Sequence, residues 1–306
     1  MDKNIIIPEE CELCPRRCRA KRAQGRKGLC GANDSLQVAR AALHEWEEPP
    51  LSAKAGSGAV FFSHCPLKCV YCQNASIAHD GFGEVISAER LSEIYLELQE
   101  QEAANINLVT ASHYLPWVLY SLERAKQHGL VLPIVWNTSG YECLESIDAL
   151  DGFVDIYLSD FKYAPHAVSD AAQRYSQAPD YFDVATQALD AMVKQIGAPV
   201  FDAEGSLKRG VVVRHLLLPK RLDDSKYVID YLWQRYGNTV LYSVMNQYTP
   251  MAEFEKHPEL NQVPRDEDYE ELLDYMDELG MEDYFWQEGG AQTESFIPPF
   301  DSTGVK

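Results

Sequence analysis

The chain has 306 residues, 46% of them hydrophobic, which suits one large α/β domain with an appendage and not a disordered tail. A formal net charge of −20 argues against a general nucleic-acid binder. No apolar run reaches the roughly 18 residues that span a membrane, and the N-terminus lacks the apolar core of a signal peptide, so a cytoplasmic protein with no membrane partner and reduced thiols is expected.

In chain order, three regions separate. Residues 1–50 form a cysteine-rich, basic segment with eight Lys/Arg against four Asp/Glu in its first thirty residues, closed by Pro49-Pro50. Cys11, Cys14, Cys18 and Cys30 are spaced Cys-x2-Cys-x3-Cys-x11-Cys among glycines and basic residues. Four cysteines in twenty residues read as a closed metal site, because metal supplies folding energy that so small a segment lacks. Zinc, a single iron or a second four-iron cluster all suit four thiolates; a cluster is favoured by the uneven spacings. Residues 251–306 form an acidic extension with sixteen Asp/Glu against three Lys/Arg. It carries one clear helix, DEDYEELLDYMDELG, stopped by Gly280. An acidic stretch of this kind is a solvated face or a partner surface.

Between them, residues 51–250 alternate strand and helix. GAVFFSH, NINLVT, PIVWNTSGY, VDIYLSDFKY, RGVVVRHLLLP and TVLYSVMNQYTP read as six strands whose apolar runs are nearly continuous, as when both faces of a sheet are covered. SAERLSEIYLELQEQEA is an amphipathic helix with Ser87 as N-cap and Glu89 in its first turn; LPWVLYSLERAKQHG, YFDVATQALDAMVKQIG and DDSKYVIDYLWQRYG are further helices. The alternation predicts a parallel sheet with right-handed crossovers. Six units are too few for an eight-fold barrel, leaving an open partial barrel or a doubly wound sheet, with the site at the carboxyl ends of the strands. The polar residues there are the cysteines after the first strand, Thr110 and Ser112 after the second, Asn137 and Ser139 after the third, Asp160 and Lys162 after the fourth, Arg214 in the fifth and Asn246 at the end of the sixth.

The loop after the first strand, HCPLKCVYCQN, holds Cys65, Cys69 and Cys72 as Cys-x3-Cys-x2-Cys. Three thiolates on one four-iron cluster leave one iron without a protein ligand, a vacant position for a substrate. The alternative is an incomplete zinc knuckle borrowing His64, which would make the chain a zinc-binding scaffold module.

CPLKCVYC, with aromatic Tyr71 before its last cysteine, resembles the signature of the radical S-adenosylmethionine (SAM) enzymes. Gln73-Asn74 and the N-terminal CELCPRRC…GLC pattern resemble the pyruvate formate-lyase activating enzyme-related group, and the resemblance extends over about residues 55–250. It implies a partial (β/α)6 barrel, a 4Fe-4S cluster on Cys65, Cys69 and Cys72, and SAM chelating the unique iron by its amino and carboxylate groups. It further implies reductive cleavage of SAM to a 5′-deoxyadenosyl radical that abstracts hydrogen from a substrate, with an electron donor such as flavodoxin or ferredoxin. The substrate class it implies is a glycine of a glycyl radical enzyme, the alternative being radical modification of another protein or a small molecule. Where the group carries a Gly-Gly-Glu-type motif to hold the SAM amino group, this chain reads NLVTASHYLPW, so Thr110 and Ser112 would supply the contacts. Asp160-Phe161-Lys162 matches the group's Asp-x-Lys; Asn137-Thr-Ser139-Gly stands where the group has Asp-Thr-Asn-Gly. The resemblance places these loops, Tyr71, Asn74, Arg214 and Asn246 beside SAM, with Lys162 toward its carboxylate and Asp160 toward a monovalent cation. His113, His215 and Cys143 read as structural residues, and no catalytic acid or base is assigned.

Overall fold

The computed structural model describes residues 5–53, 55–287 and 297–306. Ten strands are formed among them: β1 Gln37–His44, β2 Ser57–Phe62, β3 Glu84–Val85, β4 Ile106–Val109, β5 Ile134–Thr138, β6 Ile156–Asp160, β7 Val200–Phe201, β8 Leu207–Leu216, β9 Leu241–Met245 and β10 Tyr284–Phe285. They run in the spatial order β10-β9-β8-β6-β5-β4-β2-β1-β3, with β7 paired to β8. β2, β4, β5, β6, β8 and β9 are parallel neighbours and are the six strands expected from the sequence. The two edges do not meet, so the architecture is an open, partial α/β barrel.

Four strands were not expected. β1 lies within the residues read as the cysteine-rich segment, yet it pairs antiparallel with β2 over most of its length. Its sequence, QVARAALH, is rich in alanine and weak in β-propensity; burial against β2 decides its conformation. β3, β7 and β10 are two residues each, too short to show a period.

The expected helices form at Ala88–Glu100, Leu115–Gln127, Tyr181–Ile196, Leu222–Tyr236 and Asp266–Glu278. Ser87 caps the first by accepting from the Arg90 N–H at 3.1 Å. The strands alternate sharply between two cores. Trp136, Tyr157, Val211 and Val213 face the helical layer, where Leu91, Ile94, Leu122, Leu189 and Leu232 cover them. Val135, Ile156, Leu158 and Val212 face the concave side, where Leu51 closes over them. Leu51 comes from a single helical turn, Pro49–Ser52, so the connection from β1 to β2 fills the inside of the barrel below the carboxyl ends of the strands.

The acidic extension packs onto this frame. Tyr269 donates to the Val244 carbonyl at 2.8 Å, and Trp233 Nε1 donates to the Leu279 carbonyl at 2.9 Å. The chain end runs along β1, with Ala41 N–H to Thr303 O and Ser302 N–H to Ala39 O at 2.9 and 3.0 Å. Residues 288–296 of the extension lie outside the described residues.

Candidate iron–sulfur and cofactor site

A cavity of about 230 Å³ opens at the carboxyl ends of the parallel strands. Cys65, Cys69 and Cys72 line it from the loop after β2, together with Tyr71 and Asn74. Thr110 after β4, Asn137 and Ser139 from β5 and its loop, Asp160 and Lys162 from β6 and its loop, and Arg214 of β8 complete the ring. Of the ten residues that the sequence places beside the cofactor, eight line this one space.

Two do not. Ser112 is buried behind the cavity wall and donates its hydroxyl to Glu142, and Asn246 is buried at the end of β9 outside the lining. Ser112 sits in a single 3-10 turn, Ser112–Tyr114, beyond β4, where strand alternation does not apply, whereas Asn246 lies one step from Met245 and Gln247, which do line the cavity. His113 and His215 are also buried away from the cavity, on the carbonyls of Ser63 and Phe161 at 2.8 and 2.7 Å.

The three-cysteine loop is built to present sulfur. His64 and Lys68 take positive φ angles of 72° and 52°, which tighten the loop. Burial pushes the Cys65 thiol up to about 11, and neighbouring Cys69 adds to this, while the N–H groups of Lys68 and Leu67 and the Lys162 ammonium favour the thiolate. Burial likewise pushes Cys72 up to about 12 against the Asn74 N–H and Lys162. Ser176 donates to Cys69 Sγ at 3.1 Å, and a buried line of hydroxyls continues from Ser176 through Tyr163 (2.6 Å) to Tyr71 (2.9 Å). Amide, hydroxyl and ammonium donors aimed at thiolates are the environment of an iron–sulfur cluster. Among the described residues no three His, Cys, Asp or Glu side chains converge on a point suited to a single metal ion. A four-iron cluster spreads its thiolates more widely than an ion does and requires no such point.

On the opposite wall is a buried charge network. Asp160 accepts from Lys162 Nζ at 2.6 Å and Arg214 Nε at 2.8 Å. Burial opposes its charge, but Arg214 and Lys162 outweigh that and hold the carboxyl below its ordinary value. Arg214 Nη2 donates to Asn137 Oδ1 at 2.7 Å, so Asn137 meets the arginine as an acceptor. Tyr181 locks the loops, donating its hydroxyl to Ser139 O at 2.7 Å and accepting from the Lys162 N–H at 3.0 Å.

Thr110 holds a φ of 61° at the end of β4. A β-branched residue is strained there, and such strain collects at functional sites. This is the place where the resembling group carries glycines.

Sequence reasoning missed Glu47 and Glu48. Glu47 lines the cavity, reaches Arg214 at 3.4 Å and accepts from Asn107 at 3.0 Å. Glu48 is buried with one carboxylate oxygen unpartnered. Burial raises both carboxyls, Glu48 to about 6, with Arg214 acting in the opposite direction. Their only signal was an acidic pair before Pro49-Pro50, in a segment with no visible period.

The N-terminal cysteines also come together. A Cβ on Gly28 would lie 3.2 Å from Cys30 Sγ and 3.4 Å from Cys18 Sγ, so the backbone there cradles two sulfurs. The Arg16 N–H points at Cys14 and the Ala32 N–H at Cys30. Cys143 lies beside this segment, its thiol 3.7 Å from the Glu12 carbonyl.

Residues 55–160, which hold all three loop cysteines, match the family described as a 4Fe-4S single cluster domain. That match agrees with a four-iron cluster on the three-cysteine loop. Over 92% of its length the chain is 27% identical to the uncharacterized protein MJ0674 of Methanocaldococcus jannaschii, covering 77% of that protein. Among solved structures it resembles Streptococcus suis SuiB bound to the precursor peptide SuiA, at a TM-score of 0.48 and 12% identity over 76% of this chain and 48% of that one. It likewise resembles a radical SAM methyltransferase from Sphaerobacter thermophilus, at a TM-score of 0.48 and 14% identity over 76% and 67%. The chain spans about half the length of SuiB. Among the described residues, no helix is long and apolar enough to cross a membrane.

Proposed function

We propose that the chain is a radical SAM enzyme whose 4Fe-4S cluster sits on Cys65, Cys69 and Cys72. The observation that carries this reading is the sharing of one cavity by three sulfurs and by the Asp160–Lys162–Arg214 network. Such a cluster, held by Cys65, Cys69 and Cys72, would supply when reduced the single electron for reductive cleavage of the S–C5′ bond of SAM, giving methionine and a 5′-deoxyadenosyl radical able to take hydrogen from a substrate.

The chain's own residues hold and orient. Lys162 stands between the cysteines and Asp160, where its ammonium suits an anionic group at the cluster's edge, such as the SAM carboxylate. Asp160 fixes the directions of Lys162 and Arg214 at once. Thr110 and Ser139 offer backbone and hydroxyl groups across the cavity for the SAM amino group and ribose.

For substrate, Asp160-Phe161-Lys162 and Gln73-Asn74 favour a glycine Cα–H of a partner glycyl radical enzyme. The second reading, modification of another protein or a small molecule, is favoured by Thr110 in place of the glycine motif and by Asn137 in place of an acid. The four N-terminal cysteines we assign to a second metal centre, best suited to a cluster.

Anaerobic reconstitution with iron and sulfide, then dithionite and SAM, tests the central reading through 5′-deoxyadenosine. Production of it with about four or about eight irons per chain supports the reading and counts the centres. Uptake of zinc with no cluster overturns it.

A further inference from the structure

Arg22 opens a single turn, Arg22–Gln24, in the N-terminal segment and is 0% exposed. Its Nε donates to the Asn33 carbonyl at 2.7 Å and its Nη1 to the His113 carbonyl at 2.5 Å. The guanidinium carbon lies 5.7 Å from the centre of the Tyr114 ring and 5.4 Å from that of Trp117. Nη2 has no partner, and no carboxylate among the described residues pairs with this charge. Every other strongly buried cation of the site has one: Lys162 has Asp160, and Arg214 has Asp160 and Glu47.

A buried guanidinium without a counter-charge is costly, and two carbonyls and two ring faces compensate it only in part. What stands beside Arg22 is sulfur. Nη1 is 3.8 Å from Cys11 Sγ, and Cys11 and Cys30 are each 5% exposed. Neutral thiols do not balance a cation. Thiolates do, and buried thiolates persist when a metal holds them; a cluster or ion with four thiolate ligands is an anion overall.

We propose that Arg22 is the internal counter-cation of an anionic iron–sulfur centre on Cys11, Cys14, Cys18 and Cys30, and sets how tightly that centre is held and how readily it accepts an electron. The proposal rests on the reading of these four cysteines as a metal centre. It makes Arg22 a positioning and tuning residue, acting through the centre's charge.

The test uses the full chain with Cys65, Cys69 and Cys72 changed to Ala, so that only the N-terminal centre loads, reconstituted with iron and sulfide alone. Arg22→Gln keeps hydrogen-bond donors and removes the charge; Arg22→Lys keeps the charge. Arg22→Gln is expected to release iron to a chelator about tenfold faster or more and to lower the midpoint potential of the centre, whereas Arg22→Lys stays close to the parent in potential. In a chain with Ser at all four N-terminal cysteines, Arg22→Gln is expected not to lower the melting temperature, because the uncompensated charge is gone. An Arg22→Gln protein with unchanged iron release and potential overturns the proposal, as does an equal loss of melting temperature with and without the four cysteines. Should Arg22→Gln fail to fold, a lowered potential in Arg22→Lys overturns it. Equal iron content in the parent and the four-Ser chain overturns the underlying reading instead, and with it the proposal.

Discussion

The buried acid below the cavity provides the sharpest physical test. Glu48 is 7% exposed, has an unpartnered Oε2, and shares the concave side of the barrel with Glu47 and Arg214. Burial raises its carboxyl from 4.5 to about 6, although Arg214 opposes the shift. Folded Glu48 therefore holds its proton more tightly than the unfolded chain does. The stability this confers is fully present below about pH 4.5 and is lost as pH rises through about 6. At about 1.4 kcal/mol per unit, a shift from 4.5 to about 6 corresponds to about 2 kcal/mol. Glu48→Gln keeps the shape of the protonated acid and removes the titration. Its melting temperature relative to the wild type should rise with pH between 4.5 and 7, by about 3 °C in a chain of this length. The assay is thermal unfolding of both proteins in matched buffers across that range, followed by circular dichroism. A difference that does not change with pH would refute the assignment, since it would mean that Glu48 binds its proton equally tightly in the folded and the unfolded chain. A difference that narrows as pH rises would reverse its sign.

Changing Cys65, Cys69 or Cys72 to Ala should abolish SAM cleavage, whereas variants of the four N-terminal cysteines should retain some cleavage with a chemical reductant; product assay for 5′-deoxyadenosine decides both. Arg16 donates to the carbonyls of Pro66, Leu67, Ser176 and Gln177 at 2.6–3.2 Å, so Arg16→Ala should cost about 2 kcal/mol and lower iron retention on the three-cysteine loop. Unfolding and iron release measured together check it, and unchanged iron release would count against the clamp. Thr110→Gly should relieve the positive φ and raise the melting temperature by about 1–2 °C; a fall would show that the threonine side chain holds more than its backbone costs.

The parallel sheet and the three-cysteine loop were legible because each has a local signature: near-continuous apolar runs for strands covered on both faces, and sulfur at fixed spacing. The convergence of Asp160, Lys162 and Arg214 was legible from position at strand ends, since a parallel barrel brings every carboxyl end to one side. What escaped was whatever tertiary packing decides alone. β1 is an alanine-rich strand made by its neighbour, and Glu47 and Glu48 enter the barrel on a turn that sequence places nowhere. Ser112 and Asn246 show the opposite failure: the strand ends were found correctly, but Ser112 turns away in a 3-10 turn beyond β4, and Asn246 falls a half-period out of step with the cavity-lining Met245 and Gln247.

The two cysteine groups, far apart in sequence, are mechanically one assembly. Arg16, between Cys14 and Cys18, grips the backbone between Cys65 and Cys69. Arg22 holds the His113 carbonyl while the His113 ring holds Ser63, two residues before Cys65. Gly31, next to Cys30, has φ +102°, and a Cβ there would lie 2.8 Å from the His64 ring, next to Cys65. Three independent contacts therefore tie one loop to the other, and each comes from a residue within two positions of a cysteine or bonded to one. A segment docked only for stability would be free to use any surface of the barrel. This one is fastened to the backbone that carries the sulfurs, so disturbing either group should move the other's ligands before it unfolds the sheet beneath them.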